Sequence, residues 1–296
     1  MPTHSGKNQS IIAHPPRQSF TQGLLFGGGV APGYEGCETF GVSITARCDA
    51  ANDKVHTYNY LPIVALDDWL HRDGKQILAE KLRADSLGAL ANLLKDSGYS
   101  ETILETEAPE VIVEQLFPAG DQEKKIAAAR KKAEPLLAKY QLAQRARQSS
   151  SQDRVCVDIR TNYPKLVSSV LDDLIRHKLP GYYFLERVDV NGDDRGYVVL
   201  VREIQAMPRE LTQLIVDGLD ESGFAIACEK CSEYKGRLQF GVGTYAMPLG
   251  IVKSPNIEHL LQAFAMLFSR IGIADPNPAY ITSLWDRQPS VLERQP

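Results

Sequence analysis

The chain has 296 residues, 43% of them hydrophobic and 24% charged, with a net charge of −4. This is ordinary globular composition, long enough for two domains of roughly 100–150 residues each, and the negative balance excludes a uniformly basic nucleic-acid binder while leaving room for a local cationic patch. Five cysteines in an odd, unpatterned set suit a reducing compartment, and no run approaches ~18 consecutive apolar residues, so a cytoplasmic protein with no membrane partner is expected.

Residues 1–18 are polar, carry Pro15-Pro16, lack the apolar core of a secretory signal and read as a flexible N-terminal tail. Residues 19–148 are expected to form a β-barrel followed by a helical region. Gly23 and the run Gly27-Gly28-Gly29 mark turns, and the triple glycine reads as a mobile lip, since it lacks the Lys-Ser or Lys-Thr ending of a phosphate loop. In 39–48, Phe40, Val42, Ile44, Ala46 and Cys48 alternate with Thr39, Gly41, Ser43, Thr45 and Arg47, which predicts a strand with one face on the core. A second strand from Val55 places His56, Tyr58 and Tyr60 on one side.

From Leu66 the period becomes helical: Trp69, Leu78, Leu82, Leu90 and Leu93 share that spacing, Asp67 or Asp68 caps the start, and Gly98 stops the run. A short helix follows Pro109. A long one over 121–148 carries the stripe Ile126, Ala133, Leu137 and Tyr140, with a kink expected at Pro135. SSSQD at 149–153 is the expected linker. Residues 154–274 then read as a C-terminal α+β domain: a strand at 154–160, a helix over 165–177, a hairpin in 181–204, a helix over 207–219 and further strands within 224–252. The closing helix takes Ser254 as cap and Pro255 as first residue. It carries Ile257, Leu260, Leu261, Phe264, Leu267, Phe268 and Ile271 on one face and ends at Gly272. Residues 275–296 are expected to be an irregular tail. The fold class is α+β, with an antiparallel sheet and a packed terminal helix in the C-terminal part.

If 49–54 closes a hairpin with Cys48 opposite Val55, then Arg47 opposes His56, and Ser43, Thr45, Arg47, His56, Tyr58 and Tyr60 share the outer face. A cation, hydroxyls and rings together can hold a phosphate or an unpaired base, although Thr, Tyr and Arg also simply suit strands. The same register keeps Cys48 on the core side, away from His56, so a Cys–His nucleophile pair does not form. Asp49, Lys54 and His56 are the candidates for catalysis. Asp49, Asn52 and Asp53 are equally the residues of a polar turn. Cys228 and Cys231 make a single C-x2-C, half of a zinc site with no second pair, so no metal or cofactor is expected. Between Asp121 and Arg147 the charge is +5, and Lys124, Lys131, Lys132 and Lys139 lie opposite the apolar stripe, fitting phosphate contacts or a solvated face.

The run from Gln22-Gly23 through Gly41-Val42-Ser43-Ile44-Thr45 to Leu61-Pro62-Ile63-Val64 resembles the strands of MazF/PemK-type RNases. That likeness implies an SH3-like shape for the N-terminal barrel. Thr39-Phe40 stands where that family has Arg-Pro, so no catalytic residue is carried over. The segments ITARCDAANDK and SPNIEHLLQAFAMLFSRIG resemble uncharacterised bacterial proteins of accessory and defence gene clusters. The expected function is a nucleic-acid-binding or regulatory component of a bacterial defence or toxin–antitoxin-like system, with RNA or single-stranded DNA as ligand. Two alternatives compete with it. One is a non-catalytic subunit, or homo-oligomer, assembling through the 66–148 helices, which requires a large exposed apolar patch there. The other is a hydrolase or nuclease using Arg47, Asp49 and His56 in a concave pocket.

Overall fold

The computed structural model describes residues 10–17, 19–51, 55–120, 123–148, 154–241 and 243–268. The N-terminal elements are β1 (Ile12–Ala13), β2 (Leu24–Gly27), β3 (Thr39–Ser43), α1 (Arg47–Ala51) and β4 (Thr57–Ala65). A helical stretch follows: α2 (Leu66–His71), α3 (Asp73–Asp96), α4 (Ile103–Thr106), α5 (Pro109–Leu116), α6 (Lys124–Gln148), α7 (Val155–Asn162) and α8 (Pro164–Ile175). The remainder is β5 (Tyr182–Leu185), β6 (Tyr197–Leu200), β7 (Gln205–Pro208), α9 (Arg209–Asp217), α10 (Glu221–Lys230), β8 (Pro248–Val252) and α11 (Asn256–Phe268).

The fold is mixed α+β, 51% helix and 16% strand, and the strands join one curled antiparallel half-barrel sheet. Its order is β1-β8-β2-β3-β4-β6-β5, with β7 also paired to β4. The nine-residue β4 serves two neighbours: Thr57–Tyr60 pairs with β7, and Ile63–Ala65 pairs with β6. Strands β2, β3 and β4 are therefore the centre of a sheet completed by later segments. The linker expected at 149–153 lies outside the described residues, and strands from either side of it hydrogen-bond together.

Both faces of this sheet are covered. On one, Leu25, Phe40, Val42, Leu61, Ile63 and Val199 pack beneath Ile257 and Leu260 of α11. On the other, Leu24, Phe26, Tyr58, Tyr60 and Met207 meet Leu211 and Ile215 of α9. Further along that face Val64, Val198 and Leu200 meet Trp69, Leu78 and Leu82. Helices α3 and α6 pack on each other more than any other pair of elements. Beyond the sheet they share a separate small core of Leu90, Leu93, Leu94, Ile112, Val113, Phe117, Ala129 and Ala133. This helical arm carries the lysine-rich side of α6.

Three local expectations are corrected. Residues 155–162 and 221–230 are helices rather than strands. In the first, Cys156 and Ile159 are buried at helical spacing and Val157 faces out; a short apolar run is ambiguous between the two periods until packing chooses. In the second, the Asp220 carboxylate accepts a hydrogen bond from the Gly223 N–H at 2.7 Å, a cap that stabilises the first turn. The triple glycine is no mobile lip: Gly27, Gly28 and Gly29 are buried, and a Cβ on Gly27 would stand 2.3 Å from the Tyr245 carbonyl oxygen. Other expectations correspond to the structure. The hairpin pairs Tyr182 with Leu200, and α3 ends before Gly98 (φ 87°). Helix α6 continues past Pro135 as one element. The last helix begins at Asn256, one residue later than the start expected at Pro255, and the expected Ile271 and Gly272 lie outside the described residues.

The turn from α8 into β5 carries a cluster of rings. His177 adopts φ 55°, stacks on Tyr183 at 3.9 Å between ring centroids, and lies 5.2 Å from His259. The Tyr183 hydroxyl is 3.2 Å from His259 Nδ1. Burial first, then the neighbouring charge of His259, lowers the His177 pKa from 6.5 to about 4. A histidine held neutral stabilises the fold fully above its ordinary pKa. That contribution is lost as pH falls from about 6.5 to about 4, because the unfolded chain takes up the proton first. Urea midpoints should therefore fall across this window. His177→Asn, which tolerates left-handed backbone, should flatten this part of the profile; an unchanged slope in the variant would refute the assignment.

Candidate nucleic-acid interface

The expected outer face of the first strand pair is not a surface. The ladder has the anticipated register, Ser43 opposite Tyr60 and Val42 opposite Leu61, but it stops at Ser43, and 47–51 turn into α1 instead of continuing the strand. Ser43, Thr45, Tyr58 and Tyr60 are buried, Tyr60 to 1% exposure. Tyr60 and Thr45 direct their polar atoms inward, whereas Ser43 Oγ is buried with no hydrogen-bond partner among the described residues. The Tyr60 hydroxyl accepts from the Val30 N–H at 3.0 Å, and Thr45 Oγ1 accepts from the Asn59 N–H at 2.8 Å. The Tyr60 ring sits edge-on to Phe26 at 5.2 Å, and burial pushes its hydroxyl pKa to about 12. These rings cannot stack on a base, because α9 already covers them. Alternation showed that the strand has two faces; it could not show that a later helix closes the polar one.

Arg47 and His56 remain exposed, and Cys48, expected in the core, is exposed on α1 with its Sγ 3.6 Å from the Asp49 carboxylate. His56 borders a hollow of about 530 Å³ with Glu210, Glu233 and Arg237. The Arg237 guanidinium is tied to the backbone, donating to the Ala206 carbonyl at 3.1 Å and the Glu233 carbonyl at 3.4 Å. Among the described residues lining this hollow Asp49 does not appear, so the acid and base required by the hydrolase reading are not brought together there. Lys54 lies outside the described residues. Cys228 sits in the last turn of α10 and Cys231 caps it; among the described residues no group of three or more His, Cys, Asp or Glu side chains is placed to hold a metal.

The basic helix gives a different result. One side of α6 buries Ala129, Ala133 and Tyr140. Two of its cations are consumed by neighbouring carboxylates. Arg130 pairs with Glu114 at 2.7 Å and Glu134 at 3.2 Å, bonds that raise its pKa. Lys139, an expected phosphate contact, is half-buried, pairs with Asp85 and lies 5.4 Å from the centroid of the Tyr163 ring. By contrast Lys124, Lys125, Lys131 and Lys132 are exposed and form no ion pair with a described residue. Lys124 and Lys131, like Lys125 and Lys132, are seven residues apart. At 3.6 residues per turn each pair returns to nearly the same angle, ~10 Å along the axis. The result is two adjacent rows of ammonium groups on the solvent side.

Beside these rows lies a hollow of about 450 Å³, lined by Leu93, Phe117 and Ala129, by Tyr99, and by Lys125 and Lys132 at its edge, with Asp96 and Glu123 also bordering it. Backbone geometry explains why Tyr99 is there. Ser97 caps α3, Gly98 takes the left-handed conformation, the Gly98 N–H donates to the Lys95 carbonyl (3.0 Å) and the Tyr99 N–H to the Leu94 carbonyl (2.9 Å). This is a Schellman closure, which fixes the residue after the glycine against the last turn. The Tyr99 ring is backed edge-on by Phe117 at 6.1 Å and is 38% exposed. Neither Tyr99 nor Lys125 was singled out from the sequence. The signal for Tyr99 was present, an aromatic residue directly following a helix-ending glycine.

Among the described residues of 66–117, the exposed large apolar side chains are Tyr99 and Val111, which do not make the broad patch required by the partner-subunit reading. No described helix is long and apolar enough to cross a membrane. Fold and surface together define a mixed α+β protein with a curled central sheet and a cationic helical arm. Comparison with protein families, characterised proteins and solved structures finds no match to this chain.

Proposed function

We propose that this protein is a nucleic-acid-binding component whose phosphate-contacting surface is the N-terminal half of α6. One observation carries the reading: Lys124, Lys125, Lys131 and Lys132 stand together on the exposed side with no carboxylate partner among the described residues, while Arg130 and Lys139 on the same helix are neutralised. Each phosphate neutralised by such a lysine releases condensed counterions, and that release drives sequence-independent binding. The net charge of −4 does not oppose it strongly, because exposed charges beyond a Debye length of ~8–10 Å are largely screened. The setting, a bacterial defence or toxin–antitoxin-like system, rests on the likeness of β2–β4 to the SH3-like MazF/PemK strands and of the 44–54 and 254–272 segments to defence-cluster proteins. That support is analogy of sequence, not of site.

The test is fluorescence anisotropy of labelled single-stranded RNA and DNA across a salt series. With four lysine contacts to a single strand, the logarithm of the binding constant should fall with log salt at a slope near −3 (about −0.7 per contact). Lys131→Ala combined with Lys132→Ala should flatten that slope by about 1.4 and leave the helix intact, because alanine at exposed helical positions is favourable. Absence of salt-sensitive binding at micromolar protein would overturn the reading.

A further inference from the structure

We propose that the hollow between the end of α3 and the start of α6 receives an unpaired base stacked on Tyr99, so that the protein selects single strands over duplex. This rests on the reading of the α6 lysines as phosphate contacts and adds the part of the ligand those lysines cannot recognise. Lys125 and Lys132 belong both to the exposed lysine rows and to the edge of the hollow. A strand whose phosphates lie on them brings its bases to the hollow's mouth.

The hollow suits a base. Buried Leu93, Phe117 and Ala129 give it an apolar lining, and Tyr99 supplies an exposed ring. That ring costs little to order, since the Schellman closure fixes its backbone and Phe117 supports its edge. Every base has a flat π-face, so stacking on such a ring is tolerant of sequence. Asp96 at the border repels phosphate and accepts hydrogen bonds, which orients the strand with its backbone on the lysine side and its base toward the carboxylate. A duplex keeps its bases stacked inside and can use only the lysines.

The experiment compares one sequence as single-stranded RNA, single-stranded DNA and DNA duplex at one fixed salt concentration, with the intact chain. Single strands should bind at least about tenfold more tightly than duplex. Tyr99→Ala should weaken single-strand binding by about 5- to 150-fold, the range seen for removing one stacking aromatic, and leave duplex affinity unchanged, whereas Tyr99→Phe should retain single-strand binding. If Tyr99→Ala leaves single-strand binding intact, or weakens single strand and duplex equally, the base site is overturned while the phosphate surface stands. If neither form binds in a salt-sensitive way, both readings fall together.

Discussion

Trp69→Ala is expected to lower the free energy of unfolding by about 3–5 kcal/mol. Trp69 is among the largest fully buried side chains in the structure, with no exposed area, on the short helix α2 that links the sheet to the helical arm. Its ring meets Tyr182 edge-on at 5.2 Å and shares a core with Leu78, Leu82, Ala146 and Ile159. Gly74 is required beside it: a Cβ there would stand 2.8 Å from the ring. Truncation removes the transfer energy of the indole and leaves a void that Tyr34, Leu78 and Ile159, drawn from separate segments, cannot all close upon. Since folded domains are stable by only ~5–15 kcal/mol, this one change takes a large share of the total. Trp69→Phe, which keeps a ring, should cost distinctly less. Urea titrations followed by far-UV circular dichroism measure both, because Trp69→Ala removes the buried fluorophore itself. A loss below about 1 kcal/mol for the alanine variant would show that the site collapses freely.

Gly29→Ala should destabilise by more than about 3 kcal/mol, beyond ordinary overpacking, because the obstacle is backbone. A Cβ on Gly29 would lie 2.4 Å from the Phe40 carbonyl oxygen and 2.9 Å from the Gly41 nitrogen, so no side-chain rotation relieves it and β3 itself must move. Gly88→Ala is the contrasting variant. Gly88 lies in the interior of α3, exposed, with nothing within 4 Å of the added methyl. There alanine should stabilise by about 0.5–1 kcal/mol through reduced freedom of the unfolded chain and better helix propensity. The same substitution is thus expected to have opposite signs at two glycines, read as a difference in urea midpoint. A tolerated Gly29→Ala would mean that the buried glycine loop has slack that its close contacts deny.

Much of the local structure was legible in the residues alone. The register of β3 on β4, the β5–β6 hairpin, the stop at Gly98 and, to within one residue, the start of the last helix all follow from periodicity and turn residues. These are near-neighbour properties, so a linear string contains them. The candidate surface was legible in part: the cationic helix stood out by charge, yet its lysines looked equivalent. Asp85 and Glu114, distant in sequence, separated Lys139 and Arg130 from the rest.

By itself, then, the sequence determined an α+β chain with a strand pair of known register and one basic helix. Tertiary structure decided which surfaces remain open. It buried Ser43 and closed Tyr58 and Tyr60 under α9, resolved the ambiguous runs at 155–162 and 221–230 as helices, and set Tyr99 beside Lys125 and Lys132. The physical reason is that periodicity encodes how a segment's side chains divide between two faces. Whether a face meets water, a helix or a ligand depends on residues brought to it only when the whole chain packs.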